Sequence, residues 1–277
     1  QRVSARPHWR GEAPVAGKRI LLWGEQGLGD QIQFCRYAPL VAALGARVLL
    51  EVDPPLRDLL AGMPGVEATT GRDRPFSDDA IDLHCPLMSL PHAFGTTLET
   101  IPAATPYLFA DPAKIARWQD RLGPRTKPRV GLAWSGSAGH KNDRQRSLPL
   151  ERLAPLLDLP AEWHSLQKHH RPEDAEAIAK SGEISRNDVW LEDFTDTAAL
   201  IACMDMVISV DTSIAHLAGA LHKPVWIMLA RAPDFRWLLG RDDSPWYPSA
   251  RLFRQGAQGD WGDVVGAVAA ALRMSMS

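Results

Sequence analysis

The sequence predicts an α/β protein built from two consecutive Rossmann-like domains that face each other across a cleft. Short apolar runs alternate with helical patterns along the chain, which is typical of a parallel sheet covered by helices. A polar stretch with two prolines at 123–129 (GPRTKPR) interrupts this alternation, which then starts again. The chain has 277 residues, 45% of them apolar and 23% charged, and this size and composition suit two globular domains.

The first half is predicted to contain three strands and three helices. We expect strands at 18–23, 47–52 and 80–87, and helices at 31–44, 56–63 and 113–122. The runs ILLW and RVLLEV are short and largely apolar, as buried parallel strands are. Pro39 lies inside the first of these helices and is expected to kink or split it.

The second half repeats the pattern. We expect strands at 130–134, 163–167, 206–210, 225–229 and 251–254, and helices at 150–157, 173–181, 197–204, 213–221 and 260–272. Asp260 is a plausible N-cap of the last helix. The predicted domains are therefore 1–123 and 124–259, followed by a closing segment at 260–277.

Composition excludes several classes of protein. The formal net charge is −2, so no basic excess points to nucleic acid or to an anionic membrane surface. Cys35, Cys85 and Cys203 are far apart in sequence, which indicates buried thiols in a reducing, cytoplasmic location. No apolar run has the length of a membrane span, and the first residues contain no apolar signal core. The chain begins without Met, and we expect it to be excised from a longer protein or processed.

A glycine turn follows the first predicted strand. Gly24, Gly27 and Gly29 precede Asp30 and a helical stretch, and such turns usually bring the backbone close to a ligand. Asp30 disfavours a phosphate here, because a carboxylate competes with an anion for the same N–H groups. Asp30 has two interpretations of about equal weight, a helix cap or a general base. Glu25 is interpreted as a solvent-facing acid of the loop.

The glycine spacing does not match the two familiar nucleotide-binding loops. The dinucleotide fingerprint is G-x-G-x-x-G, whereas this turn reads G-x-x-G-x-G-D. Asp53 follows the second strand and keeps a nicotinamide cofactor as a weak alternative. The GxxxxGK[ST] phosphate loop is absent.

The stretch 205–222 (DMVISVDTSIAHLAGALH) predicts an anion site at the start of a helix. The strand ends before Asp211, and Thr212 and Ser213 begin the helix, whose first backbone N–H groups are free to bind a diphosphate. His216 lies off the apolar face and close in projection to the two hydroxyl residues. The alternative is an ordinary Asp/Thr cap with a structural histidine, and we favour the ligand role by roughly two to one.

The stretch 130–148 (VGLAWSGSAGHKNDRQRSL) predicts a second contact for a phosphate. Small residues at 135–137 follow a strand, and a cation from the next loop can compensate charge. Which of Lys141, Arg144 and Arg146 points inward stays open, and an exposed charged loop is the alternative. Gln167 ends another strand of the same half and is expected to face the same cleft. The tandem histidines at 169–170 lack metal-ligand spacing, so no metal site is predicted.

Together these motifs resemble glycosyltransferase family 9, the ADP-heptose:lipopolysaccharide heptosyltransferase family. The resemblance rests on LLWGEQGLGDQIQFCRYAPLV, VGLAWSGSAGHKNDRQRSLPL, HSLQK and VISVDTSIAHLAGALHKPVW. It is strongest to the glycosyltransferase domain at the C-terminus of bacterial tetratricopeptide-repeat proteins. The resemblance implies a GT-B fold, with an acceptor domain, a nucleotide-sugar donor domain, and a closing helix that packs back on the first domain.

The resemblance also implies roles for individual residues in an inverting reaction that uses no metal and no cofactor. Asp30 is implied as the base that deprotonates the acceptor hydroxyl, within an acceptor-side loop that includes Glu25, Gly27 and Gly29. The implied donor-binding residues are Ser135, Gly136, Ser137, Lys141, Arg146, Gln167, Asp211, Thr212, Ser213 and His216.

The predicted function is transfer of a sugar from a nucleotide-diphosphate sugar to an acceptor hydroxyl on a glycan, a lipid-linked molecule or a protein. Ser213 stands where heptosyltransferases carry Gly, and the lysine loop also differs, so heptose is not assumed. Two alternatives stay open: a non-catalytic nucleotide- or sugar-binding scaffold of a repeat protein, and a nucleotide-sugar epimerase or hydrolase. A tetratricopeptide-repeat region before the domain is an expected partner, and nucleic acid is not.

Overall fold

The chain folds around two separate parallel sheets. The computed structural model describes residues 4–137, 139 and 143–276. The first sheet contains β1 (Arg19–Trp23), β2 (Arg47–Val52), β3 (Val66–Gly71) and β4 (Leu83–Pro86), in the spatial order β3-β2-β1-β4. The second contains β5 (Arg129–Ala133), β6 (Glu162–Ser165), β7 (Ile184–Ser185), β8 (Met206–Val210), β9 (Val225–Leu229) and β10 (Ala250–Arg254), in the order β10-β9-β8-β5-β6-β7.

Helices connect and cover these strands. They are α1 (Leu28–Phe34), α2 (Ala38–Ala43), α3 (Arg57–Leu60), α4 (Leu90–Ala93), α5 (Pro112–Leu122), α6 (Asp143–Arg146), α7 (Ala154–Leu157), α8 (Pro172–Ser181), α9 (Phe194–Ala202), α10 (Ser213–Ala220) and α11 (Trp261–Met276). Every strand pair in both sheets is parallel, and β1, β5 and β8 are almost entirely buried because helices cover both faces. The predicted α/β class is therefore confirmed.

Each sheet has one point at which its strand order reverses. In the first sheet this switch lies between β1 and β4, and in the second it lies between β5 and β8. Ligands of open parallel sheets bind beyond the carboxyl ends of the strands at such points. The glycine turn follows β1, the small residues at 135–137 follow β5, and Asp211 follows β8. All three sequence motifs thus lie where the topology favours a ligand.

The helix predicted at 31–44 is split. Its first part is α1, a 3₁₀ turn at Cys35–Tyr37 follows, and α2 resumes the α-helix. Pro39 is in the first turn of α2, where a missing N–H costs nothing, so it sets the start of a new helix. β3 was missed because its sequence VEATTG is only partly buried and contains no continuous apolar run.

The expected position of the closing helix is wrong. The sequence analysis placed the segment 260–277 against the first domain, but α11 packs on β9, β10 and α7 of the second. Its buried face belongs to the same hydrophobic cluster as Leu150 and Phe253. Apolar residues recur along one side of α11, and this side covers the apolar face of the second sheet beside β10.

The two halves meet where α1 packs against α10 and where α5 and α3 pack against α9. A Cβ placed on Gly29 would lie 3.5 Å from the Cα of Ser213 and 2.7 Å from Cδ2 of His216. The contact with Ser213 is an ordinary one, but the contact with the His216 ring is too short for a side chain at position 29 unless the ring or a helix shifts. Elsewhere the Tyr107 N–H donates to the carbonyl of Ala220 at 3.0 Å, which adds a further tie between the halves.

Among the described residues, no helix is both long enough and apolar enough to cross a membrane.

Candidate functional site

Asp30 lies on the first domain at the point of contact with the second. It is the third residue of α1, and its Oδ2 accepts a hydrogen bond from the Gly27 N–H at 2.9 Å. Its other oxygen, Oδ1, accepts one from Nη2 of Arg236 at 2.5 Å. The two interpretations of Asp30 therefore do not exclude each other, because one oxygen caps the helix and the other faces the second domain.

Arg236 comes from the second domain, in a 3₁₀ turn at Phe235–Trp237. It is 6% exposed, and its guanidinium pairs with Asp30 and also with Asp234, at 2.9 Å from Nε. Burial by itself lowers the pKa of Arg236, but Asp30 and Asp234 raise it above its ordinary value. The guanidinium is thus a buried, permanent cation at the domain contact.

His216 holds a further donor of Arg236 in place. Nη1 of Arg236 is 3.3 Å from Nε2 of His216, and Nδ1 of His216 is 2.9 Å from the hydroxyl of Tyr247. Arginine can only donate, so Nε2 accepts and the imidazole proton sits on Nδ1, donated to Tyr247. Burial, followed by Arg236, Arg36 and other nearby cations, holds the pKa of His216 well below its ordinary value. The ring is neutral, and both of its nitrogens are occupied.

The predicted anion site lies at the start of α10. Thr212 is its N-cap, yet no side-chain cap is made, because the Thr212 hydroxyl bonds to that of Ser209 at 3.1 Å. Ser213 is the first helical residue and is partly exposed. Burial raises the pKa of the Asp211 carboxyl, against the nearby Arg236 guanidinium. The first turn of α10 therefore offers uncapped backbone N–H groups beside a buried cation.

A second cation reaches the same place from the other side. Nη1 of Arg146 donates to the carbonyl of Asp211 at 3.0 Å. The Arg146 guanidinium also lies against Gly136, where an added Cβ would be 2.4 Å from Nη2. Of the three cations that the sequence analysis left open, Arg146 is the partly buried one and Arg144 is exposed. Lys141 lies outside the described residues.

Gln167 is buried beneath the loop at 135–137 and accepts hydrogen bonds from the residues where the loop begins. Its Oε1 accepts from the backbone N–H groups of Trp134 and Ser135, each at 2.8 Å, and from the Ser135 hydroxyl at 3.2 Å. It is 5% exposed, so its visible role is to fix the end of β5. Gly136 donates to the Ser147 hydroxyl, whereas Ser137 is exposed at the surface of the loop.

Glu25 is not the solvent-facing acid that the sequence analysis expected. It is half-buried, and its Oε1 accepts from the Met88 N–H at 3.2 Å. Burial raises the pKa of this carboxyl, and the charge of Asp30 raises it further, against the hydrogen bond from Met88. Met88 also lines a cavity of ≈ 410 Å³ in the first domain, together with Trp9, Arg10 and neighbouring residues. Glu25 thus lies between Asp30 and this cavity.

Sequence reasoning missed the residues that join the two halves. Arg236 stands between two aromatic residues in the stretch PDFRW, and that pattern was the available signal. Arg36 was also missed: it is 4% exposed and its guanidinium lies over the rings of Tyr107 and Tyr247, at 4.4 and 4.8 Å. It supports Tyr247 and hence, through it, His216.

Among the described residues, no group of three or more His, Cys, Asp or Glu side chains is arranged to hold a metal ion. Nothing in this observation tests whether the reaction needs a metal, and metal independence stays a prediction.

Two Rossmann-like domains, each a parallel sheet covered by helices, that meet at α1 and α10 are the architecture of the GT-B fold. Comparison with known proteins agrees: residues 167–237 match the family model for glycosyltransferase family 9 (heptosyltransferase). The resemblance seen in the motifs is thereby confirmed, and the chain has the fold and the family signature of a glycosyltransferase.

Individual relatives agree with this assignment. Protein FlbA of Caulobacter vibrioides is 30% identical over 96% of this chain and 48% of FlbA, so the chain spans about half the length of that relative. The solved glycosyl transferase family 9 protein of Veillonella parvula superimposes with a TM-score of 0.67 at 13% identity, covering 95% of this chain and 98% of that one. E. coli ADP-heptose lipopolysaccharide heptosyltransferase II gives 0.65 at 15% identity, covering 94% and 100%. At these identities the two structures support the GT-B fold alone.

Proposed function

We propose that this protein transfers a sugar from a nucleotide-diphosphate sugar to an acceptor hydroxyl, with inversion and without a metal ion. The observation that carries the proposal is the position of Asp30: its carboxylate on the first domain meets the second beside the first turn of α10. A base and an anion site on opposite walls of one cleft are what a single-displacement glycosyl transfer requires.

On the donor side, the diphosphate lies at the start of α10. Backbone N–H groups at Ser213 and the following residue bind its oxygens, and the cations Arg146 and Arg236 compensate the charge that grows on the leaving group. These guanidinium groups thus supply the positive charge that a divalent metal supplies in other transferases. The match to the family model supports a diphosphate donor, and the name of the E. coli heptosyltransferase includes ADP-heptose. The sugar and the base of this donor are not assigned.

On the acceptor side, the hydroxyl lies against Asp30. As the acceptor oxygen bonds to the anomeric carbon, its proton passes to the Asp30 carboxylate, and the bond from that carbon to the phosphate oxygen breaks. The negative charge leaves with the nucleoside diphosphate. The half-buried Glu25 and the cavity beside Met88 border the same region, which makes them the proposed seat of the rest of the acceptor.

We also propose a class of acceptor, a cellular location and a neighbouring region for this domain. The acceptor is a glycan, a lipid-linked molecule or a protein, and the reaction takes place in the cytoplasm. The region of FlbA outside the matched half supports the idea of a larger protein, in which we place a tetratricopeptide-repeat region beside this domain.

A non-catalytic scaffold is the second candidate, and one observation favours it. The Asp30 oxygen that faces the second domain is engaged by Nη2 of Arg236, so an acceptor hydroxyl must share or displace this contact before Asp30 can act. A scaffold of this kind binds a nucleotide or a sugar nucleotide but never turns it over.

The test separates binding from chemistry. Calorimetric titration with ADP, UDP and GDP identifies the nucleotide, and the matching sugar nucleotides are then offered with a panel of acceptors. We expect Asp30→Asn to abolish glycoside formation without weakening binding of the nucleoside diphosphate. Asp58→Asn is the matched control, since Asp58 is an exposed carboxylate paired with Arg57 on the same domain.

Three results would count against the proposal. Equal loss of binding and transfer in Asp30→Asn would remove the assigned role of the base. Binding of the sugar nucleotide without turnover across the panel would support the scaffold. A free sugar or an epimer as the product would indicate a hydrolase or an epimerase.

A further inference from the structure

Arg236 of the donor domain contacts Asp30, the carboxylate that the proposed reaction uses as its base. Its guanidinium is buried, belongs to the donor domain, and binds the carboxylate of Asp30 on the acceptor domain. In this arrangement the oxygen of Asp30 that faces the cleft is occupied by an N–H donor. An acceptor hydroxyl must share this oxygen with Nη2 of Arg236 or displace it.

We propose that Arg236 is a shared ligand: it holds Asp30 when the donor is absent and moves to the diphosphate when the donor binds. This inference rests on the proposed function and adds a regulatory step to the same site. Binding of the donor then frees the base, so Asp30 gains access to a proton only when a sugar is in place to be transferred. Water or an acceptor that arrives first meets a carboxylate that is still paired.

The chemistry of the two anions favours the exchange. A guanidinium presents its donors in a planar fork that matches phosphate oxygens as well as carboxylate oxygens. A nucleoside diphosphate carries more charge than one carboxylate and offers several acceptor oxygens. Arg146 and the start of α10 add to its hold at the same place, so the diphosphate competes with Asp30 on favourable terms.

The backbone that follows Arg236 is held in place, so the proposed exchange is confined to the side chain. Arg254 donates to the carbonyls of Trp237, Leu238 and Arg241 at 2.6, 2.9 and 2.7 Å. Leu238 has a φ of 54°, a left-handed conformation that costs energy in a residue other than glycine and persists only when its surroundings impose it. The segment after Arg236 is thus clamped.

Neutral His216 orients the guanidinium of Arg236. It accepts from Nη1 of Arg236 at 3.3 Å, while the Asp30 contact is made by Nη2. A neutral acceptor orients the guanidinium without competing for its charge, and a protonated imidazole at this place would repel it. In the proposed exchange Nη1 stays with His216 while Nη2 turns from Asp30 toward a ligand at the start of α10.

The exchange makes a quantitative prediction about binding, which a purely structural ion pair does not make. If Asp30 competes for Arg236, removing the charge of Asp30 must strengthen binding of a nucleoside diphosphate. Asn is the suitable replacement, because its oxygen still accepts from the Gly27 N–H and keeps the helix cap. Couplings between two sites are commonly about 5- to 150-fold, and we expect Asp30→Asn to tighten binding by about tenfold.

The experiment is a double-mutant cycle measured by calorimetry with the nucleoside diphosphate that binds best to the unmodified protein. Arg236→Gln removes the charge and keeps a donor for His216, and we expect it to weaken binding by about tenfold or more. In the Arg236→Gln background, Asp30→Asn must no longer strengthen binding. Arg241→Gln is the matched control, since Arg241 pairs with Asp243 on the same segment. Thermal unfolding checks that each variant is folded, and Arg236→Met, which also lacks the charge, replaces Arg236→Gln if the latter is not.

Each outcome has one meaning. A tighter Asp30→Asn whose advantage disappears without Arg236 supports the exchange. Unchanged or weaker binding in Asp30→Asn, or an equal gain in both backgrounds, overturns it and leaves the proposed transferase reaction standing. Absence of binding of any nucleoside diphosphate to the unmodified protein overturns the transferase proposal and the exchange with it.

Discussion

Replacing Gly29 by Ala tests the contact between α1 and α10, on which the proposed site depends. The added Cβ would lie 2.7 Å from Cδ2 of His216, well inside the distance at which two carbon atoms touch, and 3.5 Å from the Cα of Ser213. The His216 ring cannot easily yield, because it is bonded to Tyr247 at 2.9 Å and stacks on Trp237 with ring centroids 5.3 Å apart. The clash is therefore relieved chiefly by separation of the two domains.

The size of the effect follows from the cost of overpacking. An inserted methyl group in a tightly packed contact costs about 1–3 kcal/mol. If this contact must form for transfer, that cost corresponds to a fall of about 5- to 150-fold in kcat/KM. The first domain keeps its fold, because Gly29 is helical and Ala favours a helix by about 1 kcal/mol over Gly.

The assay pairs the transfer rate with thermal unfolding of Gly29→Ala. We expect a lower kcat/KM together with an undiminished unfolding temperature of the first domain. Gly62→Ala is the control, since an added Cβ at Gly62 meets nothing within 4 Å. A Gly29→Ala protein with the activity of the unmodified enzyme would refute the reasoning, because the close approach of α1 and α10 would then not be part of the active arrangement.

Three further predictions concern the stability of the second domain. Gln167→Leu leaves the N–H groups of Trp134 and Ser135 without an acceptor. The free energy of unfolding, measured by urea titration, should fall by about 2–5 kcal/mol. Gln167→Glu keeps an acceptor oxygen, so its free energy of unfolding should fall by less. Burial, aided by a nearby arginine, lowers the pKa of His164 to about 4. As the pH drops, the unfolded chain therefore binds the proton before the folded chain does. The free energy of unfolding should fall by roughly 3 kcal/mol between about pH 6.5 and about pH 4. His164→Phe should flatten that part of the stability curve, and an unaltered curve would contradict the assignment. Gly266→Ala, on the exposed side of α11 with open space around it, should raise the free energy of unfolding by about 0.5–1 kcal/mol, and a lowered unfolding temperature would count against the helix.

The sequence by itself determined the α/β class, the placement of most strands and the motifs that carry the site. These features are local: β2, β8 and β9 are runs of apolar residues whose period does not depend on what they pack against, and Pro39 divides a helix wherever that helix lies. The motifs at 24–30, 135–137 and 211–216 could be read because each follows a buried strand directly.

Only the tertiary structure decided which groups meet across the cleft. Arg236 and Asp30 are 206 positions apart along the chain, and no periodicity links an arginine in one loop to a carboxylate in another. The same reason explains the position of α11, since an amphipathic pattern says that a helix has an apolar face but not which sheet receives it. Whether Gln167 faces a ligand or supports the backbone, and whether Glu25 is open to solvent, depends likewise on neighbours that the fold alone brings together.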